Sequence, residues 1–423
     1  MTTSRASGAR ANLRLLSVAF FTSSGLGLLL LVLMAHWLTK GEYGHFQAIW
    51  GLVFAFASVL GALEQEVTRR ATAARLDRTR TPVGVVQAIG LAALACVVVL
   101  ALLLLWPRGR EIVQGSATIV ALTVVSMANV VLLVLSRGIL LGSQAIRPYA
   151  WLIAGESVLR LVALGVLVGI GVDASVTWAV VVTVLGSAVW VFVGTRVARE
   201  IDWSGAWDPW RGVGATVAAL ATANGLSALV LTGFPTVATA VLGNPRDLAV
   251  LFAVITLARA PLALLAPVQA LVVPTVVRWS RAAETQRLTR ALARIAGGST
   301  LLAVVGGALG YLVGPWAVGL VLGSDFRPTG LMVALVTGAT CVMAGALLQA
   351  AALVALQRYW RLTGCWGLAI AGAALVMLAT PWGPEARGLA GFTVASVVAF
   401  AATAVAVLRT VASAEAGART TGH

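Results

Sequence analysis

The chain has 423 residues, 60% hydrophobic and only 11% charged, with a mean hydropathy of +0.96. Soluble domains carry about 25% charged residues, so this composition excludes an ordinary soluble protein. Lys and Arg total 30 against 15 Asp and Glu, giving a net charge of +15 and a pI near 11.4. In a soluble chain that balance points to nucleic acid. Here the cations sit in short breaks between apolar runs, which indicates membrane orientation and no nucleic-acid partner.

A hydrocarbon core about 30 Å thick takes roughly 20 apolar residues as a helix. Twelve runs meet that need: 15–38, 44–63, 83–106, 116–141, 148–171, 175–197, 212–235, 248–274, 295–321, 328–356, 361–380 and 387–410. The first is too long for a signal-peptide core and no small-residue cleavage site follows it, so it reads as a retained span. After the second span come Glu64 and Glu66, placed to pair with Arg69 and Arg70, and a long connection over 64–82. Beyond the sixth, Trp203, Trp207 and Trp210 fall on one face of a short helix, which would lie on the inner leaflet; Pro209 interrupts it. In the eighth, Pro261, Pro267 and Pro274 each remove a backbone donor and predict a kinked or broken helix.

Orientation follows from the cations. With the N-terminus inside, the outer loops hold only Lys40, Arg108, Arg110, Arg246, Arg327 and Arg387, whereas a single inner segment holds Arg69, Arg70, Arg75, Arg78 and Arg80. The positive-inside rule then places both termini in the cytoplasm. Trp37, Trp106, Trp178 and Trp382 near outer ends, and Trp151, Trp279 and Trp360 near inner ends, form an interfacial belt. The expected fold is an all-α integral membrane protein of the cell inner or plasma membrane. Its roughly twelve transmembrane helices form two pseudo-repeated six-helix lobes. The divisions are a basic N-terminus (1–14), an N-lobe (15–200), an interfacial linker (201–211), a C-lobe (212–410) and a cytoplasmic tail (411–423). Glycines four apart at Gly138/Gly142, Gly165/Gly169 and Gly306/Gly310/Gly314 predict close helix approach.

Arg160 and Arg259 remain after the loop cations are assigned. Arg160 is about 12 residues, or 18 Å, from the inner end of its span, and Arg259 about 11 residues, or 17 Å, from the outer end of its own. A lipid-facing Arg at that depth costs at least ~2.5 kcal/mol. The economical arrangement turns both toward one hydrated space between the lobes, where guanidinium groups would attract phosphate or carboxylate. The alternative for Arg160 is neutralisation by Glu156, one turn earlier, and Glu156 is itself a candidate for proton coupling. Asn129, Asn224, Gln269 and Gln349 are polar residues within spans and suit interhelical hydrogen bonds.

Enzyme chemistry finds no support. Cys96, Cys341 and Cys365 are not spaced for metal or disulfide, no phosphate-loop motif is present, and the outer acids are isolated. Neither a cofactor nor a metal is expected.

Several segments resemble a known family. Leu38-Thr-Lys-Gly-Glu-Tyr-Gly44, the helix exit Gly61-Ala-Leu-Glu-Gln-Glu-Val-Thr-Arg69, Arg137-Gly-Ile-Leu-Leu-Gly142, Leu257-Ala-Arg-Ala-Pro-Leu262 and Leu322-Gly-Ser-Asp-Phe326 are similar to motifs of the polysaccharide-biosynthesis, O-antigen flippase-like exporters of the MOP superfamily. The resemblance implies two six-helix lobes and alternating access. It further implies transfer of a polyprenyl-diphosphate-linked oligosaccharide from inner to outer leaflet, with Arg160, Arg259 and Glu156 as substrate-binding residues. Partners implied are the lipid-linked glycan, membrane lipids and polysaccharide assembly proteins. The fourteen-helix lipid II flippase branch is a poorer match, since nothing here accommodates two more helices. The multidrug and toxin extrusion branch, exporting small molecules against a cation gradient, is the alternative.

Overall fold

The computed structural model describes residues 2–204, 214–265, 272, 275–279 and 284–420. The chain divides into two compact units, Met1–Ala228 and Leu229–His423.

In the first unit the helices are α1 (Thr2–Trp37), α2 (Lys40–Leu76), α3 (Val83–Leu105), the short α4 (Pro107–Ile112), α5 (Ala117–Gly142), α6 (Ile146–Gly169), α7 (Val176–Ser187) and α8 (Gly194–Arg199). A 3-10 segment, Ala188–Val193, joins the last two. The Thr39-to-Glu42 turn is a capping box: the Glu42 amide donates to Thr39 Oγ1 at 3.4 Å and the Thr39 amide to Glu42 Oε2 at 3.0 Å. Ser116 and Ser175 cap α5 and α7 in the same sense, each accepting from an amide in the first turn.

The connection expected over 64–82 is mostly helix. α2 runs on to Leu76 because Ala71, Ala73 and Ala74 are strong helix formers and Glu66 bridges Arg69 at 2.7 Å and Arg70 at 2.6 Å on one face. It closes with Arg78 in the left-handed region (φ 58°). Gln144 (φ 61°) after α5 and Gln357 (φ 57°) repeat that closure without glycine. Gln114 (φ 55°), after α4, makes a fourth helix end of this kind.

A two-residue parallel ladder departs from the all-α expectation. Thr81–Pro82 (β1) pairs with Ile201–Asp202 (β2). Ile201 and Asp202 are therefore strand and not the start of an interfacial helix, and Trp203 is exposed with its indole N–H donating to Ala198 O at 2.9 Å. Trp207, Pro209 and Trp210 lie outside the described residues.

The core of the first unit is made where α2, α3, α5, α6 and α7 meet, around Phe56, Leu60, Met127, Leu133 and Ile153. Gly138 and Gly142 let α5 touch α2. A Cβ on Gly138 would come within 2.7 Å of Val67, and one on Gly142 within 2.5 Å of Ala71. Gly165 and Gly169 have the same spacing but face open space, so they are not a packing motif.

The stretch expected as one span over 212–235 is two helices, α9 (Gly214–Leu231) and α10 (Phe234–Leu242), bent by 73°. Gly233 caps α10 and Pro235, lacking an amide donor, sits in its first turn, so the break falls where a continuous helix would lose a hydrogen bond. In the second unit α11 (Ala249–Arg259) gives way to a 3-10 turn, Ala260–Leu264, at Pro261, as the prolines predict; Pro267, Pro274 and Gln269 lie outside the described residues. Then follow α12 (Thr285–Leu322), α13 (Gly330–Ala355), α14 (Tyr359–Ala379) and α15 (Pro384–Thr420). Gly306, Gly310 and Gly314 bring α12 against Cys341, Thr337 and Val333 of α13. Thr403 of α15 donates to Gln349 Oε1 of α13 at 2.6 Å.

Among the described residues nine helices are long and apolar enough to cross a membrane, or ten if the bent pair is one span. The expected third span is α3, Val83–Leu105, and the eighth breaks at its 3-10 turn. Trp106, Trp151, Trp360 and Trp382 are exposed at or near helix ends, where an interfacial belt would place them.

Candidate charged site of the first unit

Aromatic residues on α2 recur at near-helical spacing, so Tyr43, Phe46, Trp50 and Phe54 form a ladder along one side of the helix. Trp50 and Phe54 stack with centroids 4.3 Å apart. The Arg160 guanidinium of α6 lies over both, 5.0 Å from the Trp50 centroid and 5.2 Å from that of Phe54. Such contacts contribute about 0.5–2 kcal/mol when desolvated. Room for the arginine is made by Gly186 of α7, where a Cβ would stand 2.2 Å from Arg160 Cγ.

Glu156, one turn before Arg160, pairs with it, so the neutralising arrangement left open by the sequence is formed. The same carboxylate has a second cation. Arg137 of α5 reaches Glu156 Oε2 at 2.5 Å. The side chains of Arg160, Glu156 and Arg137 are 4%, 12% and 20% exposed, so this triad is largely withdrawn from solvent. The Nε atoms of both arginines are buried without hydrogen-bond partners among the described residues.

Arg137 lies inside α5. Its run ends only five residues later, and no pattern within α5 shows a partner on another helix. Glu64 differs from expectation. Glu66 takes both Arg69 and Arg70, while Glu64 accepts from the Tyr149 hydroxyl at 3.3 Å and lies within the electrostatic reach of Arg137. With Glu64 ionised, its charge and that of Glu156 balance the two arginines. Around this cluster Asn129 Oδ1 accepts from the Trp190 indole at 3.1 Å, and the Ser23 and Ser157 hydroxyls meet at 2.9 Å. Asn129 and Gln349 thus make the interhelical bonds their positions predicted.

Arg259 belongs to the second unit and ends α11. A cation there complements the helix dipole. Its guanidinium lies 5.9 Å from the Phe392 centroid of α15, and its Nε is buried without a partner. Among the described residues no carboxylate pairs with Arg259, in contrast to Arg160. Among those residues there is also no metal-type cluster of His, Cys, Asp or Glu.

No protein-family model matches the sequence, and no curated protein matches it. Solved structures do. An inward-facing multidrug resistance MATE family transporter of the MOP superfamily matches with TM-score 0.67 at 13% identity, over 94% of this chain and 95% of that one. An outward-facing multidrug resistance MATE transporter of the MOP superfamily matches with TM-score 0.59 at 14% identity, over 96% of each chain. A MATE transporter of Vibrio cholerae, an Asp-to-Asn mutant, matches with TM-score 0.50 at 16% identity, over 96% of this chain and 98% of that one. The chain has the MATE fold. The first two of these structures are described as multidrug resistance transporters.

Proposed function

We propose that the chain is a multi-pass membrane exporter, not an enzyme, that alternates access between two six-helix lobes and exports small molecules in exchange for a coupling cation. The observation that carries this reading is the pairing of Glu156 with both Arg137 and Arg160 beside Glu64, so that two carboxyl groups stand with two guanidinium groups and the cluster has no excess positive charge when both acids are ionised. Glu64, hydrogen-bonded to Tyr149, supplies a carboxyl group that can take up and release a proton beside this fixed ion triad. The MATE fold agrees. Twelve spans, cytoplasmic termini and a place in the inner or plasma membrane belong to the same proposal.

The test is efflux from a drug-sensitised bacterial host and substrate-driven proton movement in everted vesicles. Wild-type protein is expected to confer resistance, Glu64→Gln to abolish it, and Glu64→Asp to retain part of it. Full resistance with Glu64→Gln would remove Glu64 from coupling. A wild type that moves none of a broad substrate panel would remove the small-molecule reading.

A second reading is export of a polyprenyl-diphosphate-linked oligosaccharide, served by polysaccharide assembly proteins. One observation favours it: Arg259 keeps its charge without an acidic partner among the described residues, so it could receive an anionic headgroup. Loss of surface polysaccharide with Arg259→Ala, while the protein still inserts, supports this reading; normal polysaccharide refutes it.

A further inference from the structure

Between α14 and α15 runs a groove of about 560 Å³ whose walls are apolar except at one end. Gly364 on one wall and Ala401, Ala402 and Ala406 on the other are too small to fill it. A Cβ on Gly364 would meet nothing within 4 Å. Two arginines, Arg361 at the start of α14 and Arg409 late in α15, line the same groove. These helices are antiparallel neighbours, so both cations fall at the same end. Arg361 is held in place by donating to Thr410 Oγ1 at 2.7 Å. From Arg409 back to Val398 is about 11 residues of helix, or roughly 16 Å, long enough for much of a fatty-acyl chain.

We infer that this groove is a binding site for an anionic glycerophospholipid, with one acyl chain along Gly364, Leu368 and Val398 and the phosphate at Arg361 and Arg409. Charge complementarity selects the occupant. The groove supplies apolar wall where a chain must lie and guanidinium groups, which bond phosphate oxygens in pairs, where the headgroup must lie. A second groove of about 370 Å³, beside Trp151 and Phe192 in the first unit, is lined by apolar residues without a cation and lacks the headgroup half of such a site. The inference is independent of what the protein exports.

Native mass spectrometry of the purified full-length chain tests it, with phosphatidylglycerol and phosphatidylcholine of matched chains offered together. Wild type is expected to retain phosphatidylglycerol preferentially. Arg361→Gln or Arg409→Gln should each lower the preference roughly fivefold, the weight of about one interfacial cation on an anionic lipid. Gly364→Leu fills the groove and should reduce retention of phosphatidylglycerol with the melting temperature unchanged. Equal retention of both lipids by wild type overturns the inference, as does unchanged preference in the double arginine variant. Undecaprenyl phosphate displacing phosphatidylglycerol at equal concentration overturns it too, because the groove would then serve a polyprenyl lipid.

Discussion

Arg137 of α5 and Glu156 of α6 meet at 2.5 Å, across two helices, on a carboxylate that already holds Arg160. One acid thus bridges two cations in a setting largely closed to water, and the three stand or fall together.

Replacing Glu156 with Gln leaves both guanidinium groups without their anion. Removing one member of a buried pair typically costs about 3–5 kcal/mol. A large drop in melting temperature in detergent is expected for Glu156→Gln. The double variant Glu156→Leu/Arg160→Leu should recover part of it, because it takes away a stranded charge together with its partner. A double variant less stable than Glu156→Gln contradicts this account.

Gly186→Ala places a methyl group on the Arg160 stem rather than its mobile tip. Overpacking of this kind costs about 1–3 kcal/mol. Thermal unfolding should show that loss, and the tryptophan fluorescence should change because Arg160 leaves the Trp50 ring. Gly169→Ala is the matching control. With open space around it, that variant should be neutral or gain up to about 1 kcal/mol, as alanine does over glycine in a helix.

Gln144 and Gln357 hold left-handed backbone at helix ends where glycine has no steric penalty. Changing either to Gly should stabilise the protein by up to about 1 kcal/mol, the scale on which left-handed backbone disfavours residues bearing a Cβ. A melting temperature that falls in both variants would mean the glutamine side chains contribute more than their backbones cost.

Thr403→Val removes the donor to Gln349 Oε1 in a site where the Gln349 side-chain nitrogen already lacks a partner. A loss of about 1–3 kcal/mol is expected, the cost of stranding a buried polar group. Thr393→Val, whose hydroxyl bonds only its own helix backbone at Leu389, should cost less.

Much of the fold can be read directly from the apolar runs, since a helix in lipid must satisfy its own backbone. Helix ends are less visible. α2 outlasts its apolar stretch by a dozen residues, because alanines and a Glu–Arg fan stabilise helix in water as well. Identical glycine spacings gave opposite results at Gly138/Gly142 and Gly165/Gly169, since close approach depends on which helix lies opposite. In the charged cluster, the Glu156–Arg160 pair is visible as a one-turn spacing on one helix. The Arg137–Glu156 and Tyr149–Glu64 contacts join residues 19 and 85 apart, and only tertiary packing reveals them.

The short ladder of Thr81–Pro82 with Ile201–Asp202 carries a mechanical implication. Its strands follow α2 and α8, and the Thr81 amide also donates to Glu200 O at 3.0 Å. The stretch leaving α8 is therefore stapled to the foot of α2, so a pull on α8 would load the helix that carries Trp50, Phe54 and Glu64 as well.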